Sequence, residues 1–332
     1  MRILITGVSG QIGTNLALRC MAEGYDVYGV DNRLNTWTTS IPQMQCDLTQ
    51  ISAVMILTQQ LKKWGRPDIV VHLAAHAKVH QLVLEPNKAL ENIAMTQQVL
   101  EYCRIHQVPI IFSSSREVYG NVYRLETSEE DVDFTQVASS YAASKLSGEA
   151  LIYSYARCYH LPYLVFRLSN VYGRFDNDLM RMERLIPLFI QKIQRGEPLK
   201  VFDSNKVINF TYIDDCIAGI MLGIEGLLSR RVCNETINLA GSEAHTLHQL
   251  CLYLTDVLKT QVDIEERPMR TGEIHRYVAN QKRARELLGF VPKVPLFDGL
   301  NRAIAWSHKN TKRKESGYTK QDTLRGCKPK IA

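Results

Sequence analysis

The chain opens with Met1-Arg2-Ile3-Leu4-Ile5-Thr6-Gly7-Val8-Ser9-Gly10-Gln11-Ile12-Gly13. Residues 3–6 read as a buried strand and residues 12–23 as a helix. Between them the glycines stand at a G-x-x-G-x-x-G spacing. Glycine at such positions permits a tight turn, close approach of the backbone to a pyrophosphate, and close contact of helix and strand. The start of the helix offers free N–H groups and the positive end of its dipole to phosphates. The spacing alone is a weak signal. Its place between a strand and a helix makes it a dinucleotide-binding turn, with Gly7, Gly10, Gln11, Ile12 and Gly13 as the candidate contacts.

Working outward, residues 26–31 form a second strand ending on Asp31. An acidic residue there accepts hydrogen bonds from ribose hydroxyls and repels a 2′-phosphate, which favours NAD over NADP. Arg33 follows closely and keeps the second cofactor in play. Asn32, Asp47 and Leu48 are further candidates for the adenosine end, and Ala74 and Ala75 for the turn after the strand at 68–73. Strands at 109–113 and 163–168 alternate with helices at 51–64, 87–106 and 141–159. Alternating β and α elements call for a doubly wound parallel sheet covered on both faces, a Rossmann-type α/β fold. After residue 172 the rhythm changes. Helices are expected at 181–195, 247–259 and 283–288, and an apolar helix with its lead-in at 210–228, with residues 297–308 closing the fold. Strands are expected at 199–202 and 236–239. Residues 1–172 thus read as the dinucleotide domain, with later segments returning to it. Residues 173–310 read as a smaller substrate-binding cap, and 311–332 as a basic tail.

The 332 residues are 45% hydrophobic and 22% charged, enough for a sizeable core, and 40 basic residues against 34 acidic leave +6. Much of the excess sits in the tail, not in a basic stripe within the fold, so no nucleic-acid role is expected. Eight cysteines are scattered, with no C-x-x-C pair. They read as core thiols of a reducing compartment, with no disulfide framework and no metal site. No apolar run is long enough to span a membrane and no leader precedes the first strand, so a cytoplasmic protein is expected.

Tyr141-Ala142-Ala143-Ser144-Lys145 has the Tyr-x-x-x-Lys spacing within a helical stretch, which puts both side chains on one face. The ammonium can lower the phenol pKa from about 10 toward the working pH. The tyrosinate then takes a proton from a substrate hydroxyl while hydride leaves the same carbon.

With these residues in place, the chain resembles the extended short-chain dehydrogenase/reductases, specifically their nucleotide-sugar epimerases, dehydratases and decarboxylases. The resemblance runs from Met1 to about His308. It rests on the glycine turn, on residues 72–76 (HLAAH) and 113–120 (SSSREVYG), and on Tyr141 with Lys145. It continues through residues 167–173 (RLSNVYG), 210–215 (FTYIDD) and 270–274 (RTGEI). It implies that Ser115 hydrogen-bonds the reacting hydroxyl beside Tyr141. It also implies that Asn170 lies near a sugar diphosphate, that Arg270 clamps the diphosphate, and that Asn92 braces the sheet. Lys78 joins the substrate-binding candidates, and a homodimer is implied.

Two departures bear on the chemistry. Family dehydratases carry Asp-Glu where this chain has Arg116-Glu117, and arginine, with a pKa above about 12, is no proton donor near neutrality. Arg116 either meets a sugar carboxylate or faces solvent. Glu117 stands where a base would remove the C5 proton of a 4-keto sugar, or serves as a structural carboxylate. Ile208 replaces an arginine common in the family, leaving Lys206 or Arg181 to meet phosphate. The charges of residues 176–184 (DNDLMRMER) either line the sugar pocket or begin a solvated helix. The expected function is an NAD-dependent nucleotide-sugar epimerase/dehydratase acting through transient C4 oxidation. A uronic acid decarboxylase and a non-catalytic dinucleotide sensor are the alternatives.

Overall fold

The structure is a computed structural model that describes residues 1–121, 124–176 and 184–315. The apolar runs of the first half form β1 (Arg2–Thr6), β2 (Asp26–Asp31), β4 (Ile69–His72), β5 (Ile110–Ser115) and β6 (Tyr163–Leu168). A three-residue strand, β3 (Gln43–Gln45), adds an edge. Between them run α1 (Gln11–Ala22), α2 (Ala53–Trp64), α3 (Val79–Leu84), α4 (Asn87–His106) and α5 (Ser140–Tyr159). The second half contributes β7 (Asn170–Tyr172), α6 (Leu185–Gln194), β8 (Leu199–Phe202), β9 (Val207–Tyr212) and α7 (Ile213–Leu228). It continues with β10 (Glu235–Leu239), β11 (Ala244–Thr246), α8 (Leu247–Leu258), β12 (Ile264–Arg267), β13 (Arg276–Tyr277), α9 (Lys282–Leu288) and α10 (Leu296–Glu315).

Seven strands pair side by side in the order β10-β6-β5-β4-β1-β2-β3, every pairing parallel. Successive side chains of a strand point to opposite faces, and the two cores divide accordingly. Ile3, Ile5, Ile111, Leu164 and Phe166 join one core with α1 and α7. Leu4, Val70, Ile110, Phe112 and Val165 join the other with α2, α4 and α5. A parallel sheet covered on both faces needs such continuous apolar strands. The strand order reverses between β1 and β4, and in doubly wound sheets ligands bind at the carboxyl ends of the strands flanking that point. The sheet is Rossmann-type.

The second half is woven into this sheet. β10 pairs with β6, and α7 packs on α1 and β6. What stands over the strand ends is built from β7, β9, β11 and β13, with β8 and β12 paired beside them. Residues 210–212, expected as the lead-in of a helix, are the end of β9. The helix expected from residue 181 starts at Leu185, and Arg181 lies outside the described residues. α10 runs on to Glu315, into the stretch expected as tail, and the remainder of that tail lies outside the described residues. Among the described residues no helix is long and apolar enough to cross a membrane.

Candidate active site

A cavity of about 830 Å³ opens at the carboxyl ends of β1, β4 and β5 and extends under the second-half strands. Its volume is that of a small-molecule site. The glycine turn forms one end. Gly7 has φ +72°, and a Cβ there would stand 2.7 Å from the Ala74 nitrogen. A Cβ at Gly13 would stand 2.2 Å from the Gly7 carbonyl oxygen, so only glycine lets α1 start this close to β1. Gln11, Ile12, Asn32, Leu48, Ala74 and Ala75 line the same end, as the sequence led one to expect. Both polar atoms of the Gln11 amide are buried without a partner. Asp31 closes β2 with its Oδ2 accepting the Ser9 N–H at 3.0 Å. Burial holds its carboxyl above the usual carboxylate range. Asp47 also lines the cavity, but its carboxylate accepts the Thr49 N–H and hydroxyl at 3.0 and 2.8 Å, so it shapes its own turn. The glycine cradle, the orphaned amide and the acidic end of β2 fit a dinucleotide.

Ser139 caps α5, accepting the Ala142 N–H at 3.2 Å, and so fixes where the helix begins. Tyr141 and Lys145 then stand one turn apart on the cavity wall, opposite Ser115 at the end of β5. The Ser115 hydroxyl lies beside the Tyr141 phenol and favours its ionised form. The Lys145 ammonium donates to the Ser113 carbonyl at 2.7 Å and lies 6.0 Å from the Tyr141 ring centre. Burial dominates both pKa values. It pushes Tyr141 up to about 12 and Lys145 down to about 8. The lysine charge alone therefore does not bring the phenol to neutrality. Arg184 and Arg116 favour the tyrosinate, and Glu117 opposes it. Asn92 holds the turn after β4 to α5: it accepts the His76 N–H at 2.7 Å and donates to Ser144 Oγ at 3.1 Å.

The sugar end differs from expectation at two places, Arg116 and Lys206. Arg116 neither faces solvent nor lines the cavity. It is buried behind Glu117, with Nη2 2.8 Å from Glu117 Oε1 and Nε donating to Asn170 Oδ1 at 3.0 Å. Glu117 lines the cavity, yet its second oxygen is buried without a partner, and burial raises its carboxyl pKa. Lys206 does not line the cavity either. It is buried and ion-paired at 2.5 Å with Glu273, which does. A lysine turned inward spends its charge on the nearest carboxylate. Asn170, Lys78 and Arg270 do line the cavity. Arg270 stacks on Phe202, its guanidinium carbon 3.8 Å from the ring centre, which leaves the planar fork edge-on for anions.

The charged run at 176–184 reaches the cavity at both of its ends. Asp176 and Arg184, at the two ends of the charged run, both line the cavity and pair at 2.9 Å. Burial lifts Asp176 to about 7. Trp37 and Phe175 line it as well. Among the described residues no group of His, Cys, Asp or Glu is placed to hold a metal ion, and the described cysteines are all free thiols.

The sequence pattern of the NAD dependent epimerase/dehydratase family matches residues 3–240. The chain belongs to that family. It is an enzyme of the NAD-dependent epimerase/dehydratase kind. A Bacillus subtilis protein called "Uncharacterized UDP-glucose epimerase YtcB" is 28% identical over 92% of this chain and 98% of its own. Among solved structures, UDP-glucose 4-epimerase of Thermotoga maritima with UDP-glucose superposes with a TM-score of 0.85. It is 28% identical and covers 94% of this chain and 100% of that one. UDP-glucuronic acid 4-epimerase of Bacillus cereus, in complex with UDP-glucuronic acid and NAD, gives 0.83 at 27% identity over 93% and 100%. This epimerase/dehydratase therefore shares its whole architecture with enzymes that act on a nucleotide-linked sugar.

Proposed function

We propose that this chain is a UDP-sugar 4-epimerase that keeps NAD bound and uses it within each turnover. The observation that carries the reading is the meeting of Ser115, Tyr141 and Lys145 on one cavity with the glycine turn. Its relatives named as UDP-glucose and UDP-glucuronate 4-epimerases support the choice of substrate.

In this reading Ser115 orients the sugar's 4-hydroxyl and the Tyr141 phenolate oxygen takes its proton. Lys145 holds the tyrosinate as an ion pair and, through its ammonium, binds the adjacent ribose. When bound, oxidised NAD supplies the hydride acceptor and a positive ring that favours the tyrosinate. Tyr141 needs that help, since burial leaves its phenol near 12. The cavity would hold the oxidised sugar in either orientation, and Tyr141 would return the proton to its C4 oxygen. Arg270 and Lys78 meet the diphosphate, and Asn170 the sugar. Residues from 173 on, apart from those that return to the sheet, serve as the substrate-binding half.

Glu117 decides between C4 epimerisation and C5 chemistry. One of its oxygens is held by Arg116 and the other is shielded, and the neighbouring acid that dehydration requires is an arginine. That favours simple C4 inversion. A second reading keeps Glu117 as a C5 base, because it lines the cavity and burial raises its proton affinity. The same proposal takes the protein as a cytoplasmic homodimer. Exposed Leu90 and Ile105 on α4 and Tyr159 on α5 supply an apolar face for the second copy.

The test is incubation of the purified protein with UDP-glucose, UDP-galactose, UDP-glucuronate and UDP-galacturonate in D₂O, read by NMR. Epimer formation without deuterium at C5 is expected. Deuterium at C5 favours the second reading, and carbon dioxide from UDP-glucuronate favours decarboxylation. No product from any sugar, with NAD bound, overturns the proposal. Tyr141→Phe is expected to lower kcat by roughly 10²–10⁴-fold with NAD still bound.

A further inference from the structure

Three large aromatic residues, far apart in the chain, meet at the mouth of the cavity. Trp37 lies in the loop after β2, Phe175 in the loop after β7, and Trp306 on α10. Their rings form a closed triangle. Trp37 and Phe175 are 5.7 Å apart between centres, Trp37 and Trp306 5.7 Å, and Phe175 and Trp306 5.3 Å. All three pairs are tilted or edge-to-face, with centres within the range where such pairs attract beyond simple burial. Trp37 and Phe175 line the cavity, and the segments that carry them are bonded to Thr14 and Asn15 of α1, the helix that the glycine turn begins.

Each corner is held in place by its own support. Asn35 Oδ1 accepts the Trp37 and Thr38 N–H groups at 2.8 and 3.2 Å, while its Nδ2 donates to Thr14 Oγ1 on α1 at 2.8 Å. The Trp37 loop is thereby pinned to the helix that the glycine turn begins. Phe175 has φ +60°, a left-handed conformation that a bulky residue adopts only when its surroundings impose it. The neighbouring Arg174 imposes it. Its carbonyl accepts from Asn15 Nδ2 on α1 at 3.2 Å, and its guanidinium pairs with Asp214 on α7 at 2.5 Å. α10 is seated by the Tyr172 hydroxyl, which donates to the Leu296 carbonyl at 3.2 Å, and by Arg302 over the Tyr212 ring at 5.7 Å.

We propose that Trp37, Phe175 and Trp306 form an aromatic clasp that slows the exchange of the bound dinucleotide. The clasp ties the glycine-turn half to the last helix across the cavity mouth, so the ligand cannot leave until the triangle parts. An enzyme that lends a hydride and takes it back needs its cofactor to outlast the turnover. The inference rests on reading the cavity as an NAD site. Trp306 is the corner to alter, because it packs on Trp37 and Phe175 and is not itself among the residues lining the cavity.

The test measures release, with no sugar present. The full-length protein is loaded with fluorescent etheno-NAD and chased with excess unlabelled NAD. Trp306→Ala is expected to release the dinucleotide at least tenfold faster than wild type, and Trp306→Phe to stay within threefold of it. In saturating NAD, kcat of Trp306→Ala is expected to match wild type. Should Trp306→Ala fail to fold, Trp306→Leu keeps apolar bulk without the edge-to-face contacts, and the same acceleration is expected. Release at the wild-type rate from a folded Trp306→Ala or Trp306→Leu protein overturns the clasp, as does a wild type that binds no dinucleotide. Slow, Trp306-dependent release from a protein that turns over no UDP-sugar overturns only the proposed function.

Discussion

Two buried arginine–glutamate pairs lie close to the catalytic residues, and they are built differently. Arg167 of β6 grips Glu149 of α5 with two parallel bonds, 3.0 Å from Nε and 2.7 Å from Nη2. Its Nη1 donates to the Glu129 carbonyl at 2.7 Å and meets the Tyr119 hydroxyl at 3.0 Å. Glu149 also accepts from Ser114 and, at 3.1 Å, from Tyr153. Arg116 and Glu117 share a single contact, and each keeps one buried polar atom, Nη1 and Oε2, without a partner. The first pair sits behind the helix that carries Lys145, and the second stands against the cavity. A saturated buried pair holds elements together, because its desolvation is offset by a full set of bonds. A half-saturated pair is a poor structural device, and in a native fold it calls for a reason beyond stability. Here Glu117 lines the cavity where the proposed function places the sugar.

The sharpest way to break this contrast is to remove one partner of the saturated pair. Glu149→Leu leaves the Arg167 guanidinium buried without its counter-charge and is expected to cost about 3–5 kcal/mol of stability in urea unfolding. The double change Glu149→Leu with Arg167→Met is expected to cost far less, because no lone charge remains. A Glu149→Leu protein as stable as wild type sinks the structural assignment.

Next in size is a pH effect from Lys145, one turn before Glu149. Its pKa in the fold is about 8 against an ordinary 10.5, so between these values the unfolded chain binds more protons than the folded one. Stability contributed by this group therefore rises as pH rises through that window. Tyr141, with its pKa raised to about 12, works in the opposite sense above its ordinary 10. From pH 8 to 10 wild type is expected to gain roughly 2–3 kcal/mol relative to Lys145→Met. Equal slopes for the two proteins in urea unfolding at both pH values contradict the buried charge.

Arg116→Met tests the half-saturated pair. It frees Glu117 at the cavity wall and is expected to cost about 1–3 kcal/mol, less than Glu149→Leu. Its main effect is expected on KM for the UDP-sugar, since the change lies behind a cavity residue. The smallest effect belongs to Glu117→Gln. Stability within about 1 kcal/mol of wild type is expected, since the amide still bonds Arg116. Near-normal kcat for C4 inversion is expected too. A collapse of kcat with this variant transfers Glu117 to the C5 chemistry of the second reading.

Elements of four residues or more could be legible in the sequence. The helix Asn87–His106 and the strands Tyr163–Leu168 and Leu199–Phe202 have the bounds that their patterns suggest. Short ones were not: β3, β7, β11 and β13 have two or three residues each, too few to show a period, and exist only because a neighbouring strand pairs with them. At the candidate site, the glycine turn, Asp31, Ser115, Tyr141 and Lys145 could be read from spacing and resemblance. Asp176 and Arg184 fall in the charged run that the sequence left open between pocket and solvated helix; Trp37 and Phe175 could not be read, because loops far apart in sequence bring them to one wall.

The sequence by itself determined the alternation of strands and helices that calls for a doubly wound sheet, and the dinucleotide turn and the Tyr–Lys pair, each written in residues within a few positions of one another. Local spacing governs backbone conformation and shared helix faces, and neither needs the rest of the chain. The tertiary structure alone decided which charges are free to meet a ligand. Lys206 looked available for phosphate until Glu273, 67 residues away, took its charge. Arg116 was open to a sugar carboxylate or to solvent until Glu117 and Asn170 enclosed it. Burial and partner choice depend on what folds over a residue, and that is set by packing across the whole molecule.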